Sequence, residues 1–290
     1  MKFVLDADQR DFAASLDSLL ASSDTVAVAR AWAEGDSGPG LKLWARLAEQ
    51  GVLSLATDAT PVELAIAFEA LGRYAVPGPW VESAAYLPVA LGREIEGVAT
   101  VALPPHVPYA LDADVADQVF VGSTPAASVG DLVVSVDRTR RLFAVTGDGE
   151  PDRAAFDLAV LATSAQLLGA GERVLADSVA YVKQRKQFGR EIGSYQAIKH
   201  ALADVRIALD FARPLVLGAA LGEIDVSAAK VATADAAYLS SRTGLQVHGA
   251  IGYTAEFDLS LWITKIRALV GAWGTPDFHR GRLLQQLVAS

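Results

Sequence analysis

Two short segments gather side chains able to hold an anionic, planar ligand. The first, YVKQRKQFGREIGSYQAIKHALADV (181–205), sets Arg185, Gln187 and Phe188 just before Gly189 and Gly193, with Tyr195, Gln196 and His200 following. A guanidinium offers a forked donor to a pyrophosphate, a phenyl ring offers a face to an aromatic ring, and the two glycines suit a tight connection between helices. The same residues also suit an ordinary helix–turn–helix with a solvated basic patch. The second segment, LQVHGAIGYTAEFDLSLW (245–262), ends a helix with Gln246, Val247 and His248 and continues through Gly249, Ala250 and Gly252. Small residues there let a ligand approach the backbone, although a glycine-rich helix stop would look the same.

Other chemistries lack support. Neither phosphate-loop pattern, G-x-x-x-x-G-K-[ST] or G-x-G-x-x-G, is present, nor is G-x-S-x-G. The four histidines are scattered without H-E-x-x-H, so no metal site is expected. With no cysteine, disulfides, thiolate metal sites and a cysteine nucleophile are excluded. Asp plus Glu number 34 against 25 Lys plus Arg, a net charge of −9, so nucleic acid is not bound through bulk charge. The longest uncharged apolar stretch, near 158–171, is short for a membrane span. MKFVLDADQR lacks the apolar region of a secretory signal. A soluble, cytoplasmic chain is expected.

The elements that must position these segments fall into three zones. Residues 1–97 read as short helices, at Ala7–Leu20 with Asp6 as its cap, Leu41–Leu53 and Pro61–Leu71, with Gly51 and Gly72 as left-handed stops. Residues 98–150 read as a small sheet built from VATVAL, QVFV, LVVSV and LFAVT, separated by prolines and by Gly122, Gly130 and Gly147. Residues 151–290 return to longer helices. Apolar residues recur at three- and four-residue steps in 157–186, 194–222 and 227–248, as antiparallel helices of a bundle require, and a short helix covers 276–289. The order predicts an α+β, mainly α chain: N-terminal helices, a reduced middle β-domain and a C-terminal bundle.

Taken together, the two segments resemble the acyl-CoA dehydrogenases, FAD enzymes that desaturate CoA thioesters between the α and β carbons. The family pattern R-x-Q-F-G-x-x-I-G-x-x-Q-x-x-x-x-x-L-A-D is matched at Arg185, Gln187, Phe188, Gly189, Ile192, Gly193, Gln196, Leu202, Ala203 and Asp204. The later pattern Q-x-H-G-G-x-G-Y-T-x-E is matched at Gln246, His248, Gly249, Gly252, Tyr253, Thr254 and Glu256. LDADQRDF, LWARLAEQGV and FEALGRYAVPGPW resemble family segments more loosely. The resemblance implies an antiparallel four-helix bundle that drives oligomerisation and an FAD lying across a subunit interface. Arg185, Gln187 and Phe188 would hold the ADP half of one flavin, and Gln196 would support that pocket. Gln246, Val247, His248 and Gly249 would contact the same moiety from the neighbouring subunit. It also implies an acyl-CoA substrate and an electron-transfer flavoprotein as acceptor.

The chain departs from the family in its middle zone and at the base. No T-E-P-x-A-G-S-D segment is present, and Trp273, in AWGTPDFHRGRL, stands where many members carry the glutamate that removes the α-proton. Indole has no lone pair for that task. Some members place the base on the preceding helix, a position that falls on Asp235, beside the apolar stripe at Ala234 and so near a possible pocket edge. Short chains of this kind resemble one half of the heteromeric acyl-CoA dehydrogenases of actinobacteria, which act on bulky CoA esters such as steroid side chains. The expected role is a subunit that completes an interface FAD site in a heterotetramer while a longer partner supplies the base. A competent homo-oligomer using Asp235, and a flavin-free bundle scaffold, are the alternatives.

Overall fold

The computed structural model describes residues 3–289. In chain order its helices are α1 (Ala7–Ala21), α2 (Thr25–Ala33), α3 (Gly38–Glu49), α4 (Leu55–Asp58), α5 (Pro61–Arg73) and α6 (Leu87–Leu91). After the strands come α7 (Arg153–Gln184), α8 (Gln196–Ala220), α9 (Val226–His248), α10 (Leu259–Gly271) and α11 (Pro276–Ala289). Asp6 caps α1 as expected, in a reciprocal box: its carboxylate accepts the Gln9 N–H, and the Gln9 amide oxygen accepts the Asp6 N–H. Gly51 takes the expected left-handed conformation, φ 81°, although α3 stops at Glu49 and a 3₁₀ turn at Val52–Ser54 follows.

Gly72 is a correction. It does not stop a helix but lies inside α5, where a Cβ would sit 2.1 Å from the carbonyl oxygen of Gln166. On α7 the opposed Gly169 would place a Cβ 1.9 Å from the oxygen of Glu69. The two glycines let α5 and α7 touch backbone to backbone.

Strands β1 (Ala99–Ala102), β2 (Ala110–Leu111), β3 (Gln118–Val121), β4 (Thr124–Pro125), β5 (Ser128–Val133) and β6 (Leu142–Thr146) form two three-stranded sheets, ordered β1-β3-β4 and β2-β6-β5. QVFV and LFAVT are strands over their whole length. The LVVSV strand is displaced: β5 begins at Ser128, and the register against β6 shifts between Val129 and Leu132. Gly130, expected as a separator, instead sits in that bulge, where the missing side chain eases the irregular backbone.

The C-terminal helices form the expected four-helix bundle. Neighbours along α7 and α9 advance together: Ser240 donates to the Gly171 carbonyl, and further on Tyr181 stacks on His248. These two helices are therefore parallel. Along α8 the order reverses, with Gly193 against Val182 and Leu209 against Gly171. It also reverses along α10, with Leu259 near Gly244 and the Leu269 carbonyl on Lys230. The topology is up-down-up-down. Helix α7 is long and apolar enough to cross a membrane by length and composition, but 83% of its most apolar window is buried inside the molecule, so it is a core helix. All five tryptophans are buried.

Candidate functional site

At one end of the bundle α7 unwinds at Arg185 into a small hairpin. Strands β7 (Lys186–Gln187) and β8 (Arg190–Glu191) pair antiparallel, and the turn between them is Phe188–Gly189, with φ 51° and 83°. Two positive φ values in a two-residue loop define a type I′ turn, which asparagine or glycine normally fills. A phenylalanine in that conformation is strained, and its ring is 90% exposed. The strain yields no burial within the chain. The hairpin itself is secured: Arg190 lies over the Tyr195 ring at 4.0 Å, and Ile192 N–H returns to the Arg185 carbonyl. Arg185 is exposed, and among the described residues its guanidinium has no partner. Gln187 is exposed on β7, and Gln196, also exposed, is the first residue of α8.

The C-terminus of α9 lies at the same end. The His248 ring stacks on Tyr181 at 4.2 Å, approaches Phe257, and bonds through Nδ1 to the Gly244 carbonyl. Val247 and His248 are buried within their own chain. Gln246 is exposed, and Gly249 reverses the chain at φ 63°. The fold thus brings both motifs to one end of one bundle.

Asp235 lies elsewhere. Thirteen residues before His248 on α9 is roughly 20 Å of helix. Its carboxylate is exposed and pairs with Arg280 at 2.8 Å. It faces the surface beside α11, not the pocket edge expected from the sequence.

Trp273 is buried with φ 56° and packs on Tyr86 and Phe156 at centroid distances of 5.3 and 5.8 Å. Buried titratable groups surround it. Glu82, in the π-helical turn Glu82–Tyr86, is pushed upward by burial, with the Arg140 charge and the Trp273 indole N–H opposing. Lys230 donates to the carbonyls of Leu269 (2.7 Å) and Ala272 (2.8 Å), and burial lowers it to about 7. His279 meets the Trp273 carbonyl through Nε2 at 2.9 Å and the Ser227 hydroxyl through Nδ1 at 3.1 Å, and burial lowers it to about 4. Because a carbonyl only accepts, Nε2 carries the proton. A cavity of about 450 Å³ opens beside this cluster, with Phe156, Phe278 and His106 in its walls and the Asp157–Arg282 ion pair among its lining.

These buried groups escaped sequence reading. Only Glu82, an acid inside the apolar run between Trp80 and Tyr86, carried a signal. Lys230 sits beside the apolar stripe of α9, with nothing in the sequence to show that it is buried.

The chain is thus a four-helix bundle that presents an exposed arginine–aromatic hairpin at one end, preceded by small sheets and an N-terminal helical layer. Residues 152–288 match the family described as acyl-CoA dehydrogenase, C-terminal domain. The chain is 33% identical over 284 residues to acyl-CoA dehydrogenase IpdE2 of Mycobacterium tuberculosis, covering 86% of this chain and 87% of that one. Its fold is similar to a chain of the ChsE4-ChsE5 complex from Mycobacterium tuberculosis (TM-score 0.83, 21% identity, all of both chains covered). It is also similar to the Tcur3481-Tcur3483 steroid ACAD G363A variant (TM-score 0.78, 20% identity, 98% and 99% covered). The chain belongs to the acyl-CoA dehydrogenase family, whose cofactor is FAD.

The residues present fit one half of that cofactor. Arg185, Phe188 and Gln246 are exposed at one end of the bundle, and among the described residues the Arg185 guanidinium has no partner. Trp273, where the resemblance expects the base, is buried, and its indole has no lone pair able to take the α-proton.

Proposed function

We propose that this chain is the base-lacking subunit of a cytoplasmic, heterotetrameric acyl-CoA dehydrogenase that desaturates a bulky acyl-CoA thioester. It contributes the ADP side of an interface FAD site, and a longer family partner contributes the ring pocket, most of the acyl pocket and the catalytic carboxylate. When bound, FAD accepts the β-hydride of the thioester. This chain's share of the work is binding: Arg185 supplies a forked charge to the pyrophosphate, Phe188 supplies a ring face and Gln196 a neutral hydrogen bond, while Gln246 supplies a neutral hydrogen bond to the ADP half of the flavin held by the neighbouring subunit. The observation that carries the reading is Phe188, held at φ 51° and 90% exposed. A strained aromatic that gains nothing inside its own chain is shaped for something outside it. A steroid side chain as the acyl group is supported by the fold neighbour described as a steroid ACAD, and a heteromer by the neighbour described as a complex. Electrons would leave to an electron-transfer flavoprotein.

The test is co-purification with a longer acyl-CoA dehydrogenase-like partner, followed by a visible spectrum for flavin. Arg185→Ala removes a charge-assisted contact of about 1.5–3 kcal/mol, so FAD affinity should fall roughly tenfold to a hundredfold. Unchanged FAD content after extensive dialysis would remove Arg185 from the site.

A further inference from the structure

Arg30, near the end of α2, reaches across the molecule to the segment that follows α9. Its Nη1 donates to the Ala255 carbonyl at 3.0 Å. Its Nη2 donates to the Glu256 carbonyl and to Asp258 Oδ1, both at 2.8 Å. One guanidinium thus gathers acceptors from three nearby residues, which a lysine cannot do with the same geometry. The segment it grips has little regular structure of its own: a 3₁₀ turn at Gly249–Tyr253, then irregular chain up to α10. Tyr253 is exposed on it. The grip also has a route inward. Phe257, between Glu256 and Asp258, lies 5.2 Å from the His248 ring, which is stacked in turn on Tyr181. Tyr181 is on the last turn of α7, just before the hairpin of Arg185 and Phe188.

We infer that Arg30 is a positioning residue for the cofactor site. From the N-terminal helical layer it fixes the Gly249–Asp258 segment, and through Phe257 and His248 it sets the end of α9 where Gln246 is presented. This rests on the reading that FAD binds at this end of the bundle. It adds that the α2 layer sets how tightly FAD is held, although Arg30 touches no cofactor. Nearby Glu34 and Arg138, which line the same small cavity as Arg30 and Tyr253, make none of these bonds.

The experiment uses the full-length chain in the FAD-containing assembly with which it is isolated. Arg30→Gln, Arg30→Lys and Arg185→Ala are compared by FAD titration of the stripped assembly and by amide exchange of the FAD-free assembly. The expected result for Arg30→Gln is exchange at 250–258 at least tenfold faster, α8 unchanged, and FAD bound about tenfold more weakly. Arg30→Lys, able to keep one acceptor, should fall between wild type and Arg30→Gln. Faster exchange with unchanged FAD affinity would make Arg30 a staple of the loop alone and overturn the inference, as would unchanged exchange. Weaker FAD binding after Arg185→Ala but not after Arg30→Gln would sink this inference and leave the functional reading standing. No effect of Arg185→Ala would sink the functional reading itself. Should Arg30→Gln fail to assemble, Asp258→Asn removes only the anchoring charge, and the same two measurements decide.

Discussion

At the scale of single residues, the groups around Trp273 are arranged to hold a segment still. Lys230 caps the C-terminal carbonyls of α10, and His279 holds the Trp273 carbonyl. These three bonds hold the short link from α10 to α11. A buried amine of this kind leaves a signature in pH. Its folded value of about 7 lies below the ordinary 10.5. Between those values the unfolded chain binds a proton that the folded chain does not, so stability rises with pH across that window. Below about pH 7 the cost of charging the buried amine is fully present. Lys230→Met removes the titration while keeping a long apolar stem. Urea unfolding of the assembly at pH 7 and pH 9.5 should therefore show a smaller gain at the higher pH for the variant than for wild type. Equal gains would mean that Lys230 stays charged in the fold.

At the scale of elements, the contact between α5 and α7 is the tightest constraint on the helical layers. A methyl group at Gly169 would meet backbone, which has no rotamer to yield. Gly169→Ala should cost about 1–3 kcal/mol, as other overpacked sites do, despite the better helix propensity of alanine. Gly281→Ala on α11, where a Cβ meets nothing within 4 Å, should change thermal stability little and is the control. Equal melting temperatures for the two variants would show that α5 and α7 can separate without loss. The sequence pattern revealed that Gly72 was special but pointed to the wrong reason, because a glycine near a helix end reads as a stop until its neighbour across space is known. Stripes on α7, α8 and α9 were legible since each helix buries a continuous face over several turns. Helix α2 was not, because TVAVARAWA is apolar at every position but Thr25 and Arg30 and spans only nine residues, too few to show a helical stripe. Helix α10 was hidden inside the tail of a motif that drew attention to its glycines. The hairpin residues were legible because they are contiguous; the Glu82, Lys230 and His279 cluster was not, because distant parts of the chain meet only in the fold.

At the scale of the whole molecule, the bundle leaves apolar side chains facing outward. Ile207 and Phe211, one turn apart on α8, are exposed, as are Tyr238 and Leu239 on α9. Polar neighbours such as Arg206 and Asp210, paired with each other, flank the α8 pair. Adjacent apolar residues rimmed by charge on a long helix have the character of an association surface. The hairpin and the end of α9 belong to these same helices, so a subunit that covers the face is well placed to reach the cofactor site as well. The wild-type chain should accordingly sediment as an assembly at micromolar concentration, and Phe211→Asp, which places a charge in the middle of the apolar pair, should shift it toward the monomer. FAD retention should fall with the loss of assembly even though Phe211 is not among the flavin-holding residues. A monodisperse wild-type monomer would deny this face a partner. A variant that dissociates yet keeps its FAD would show that the cofactor is held within one chain, contrary to the strained and outward-facing Phe188.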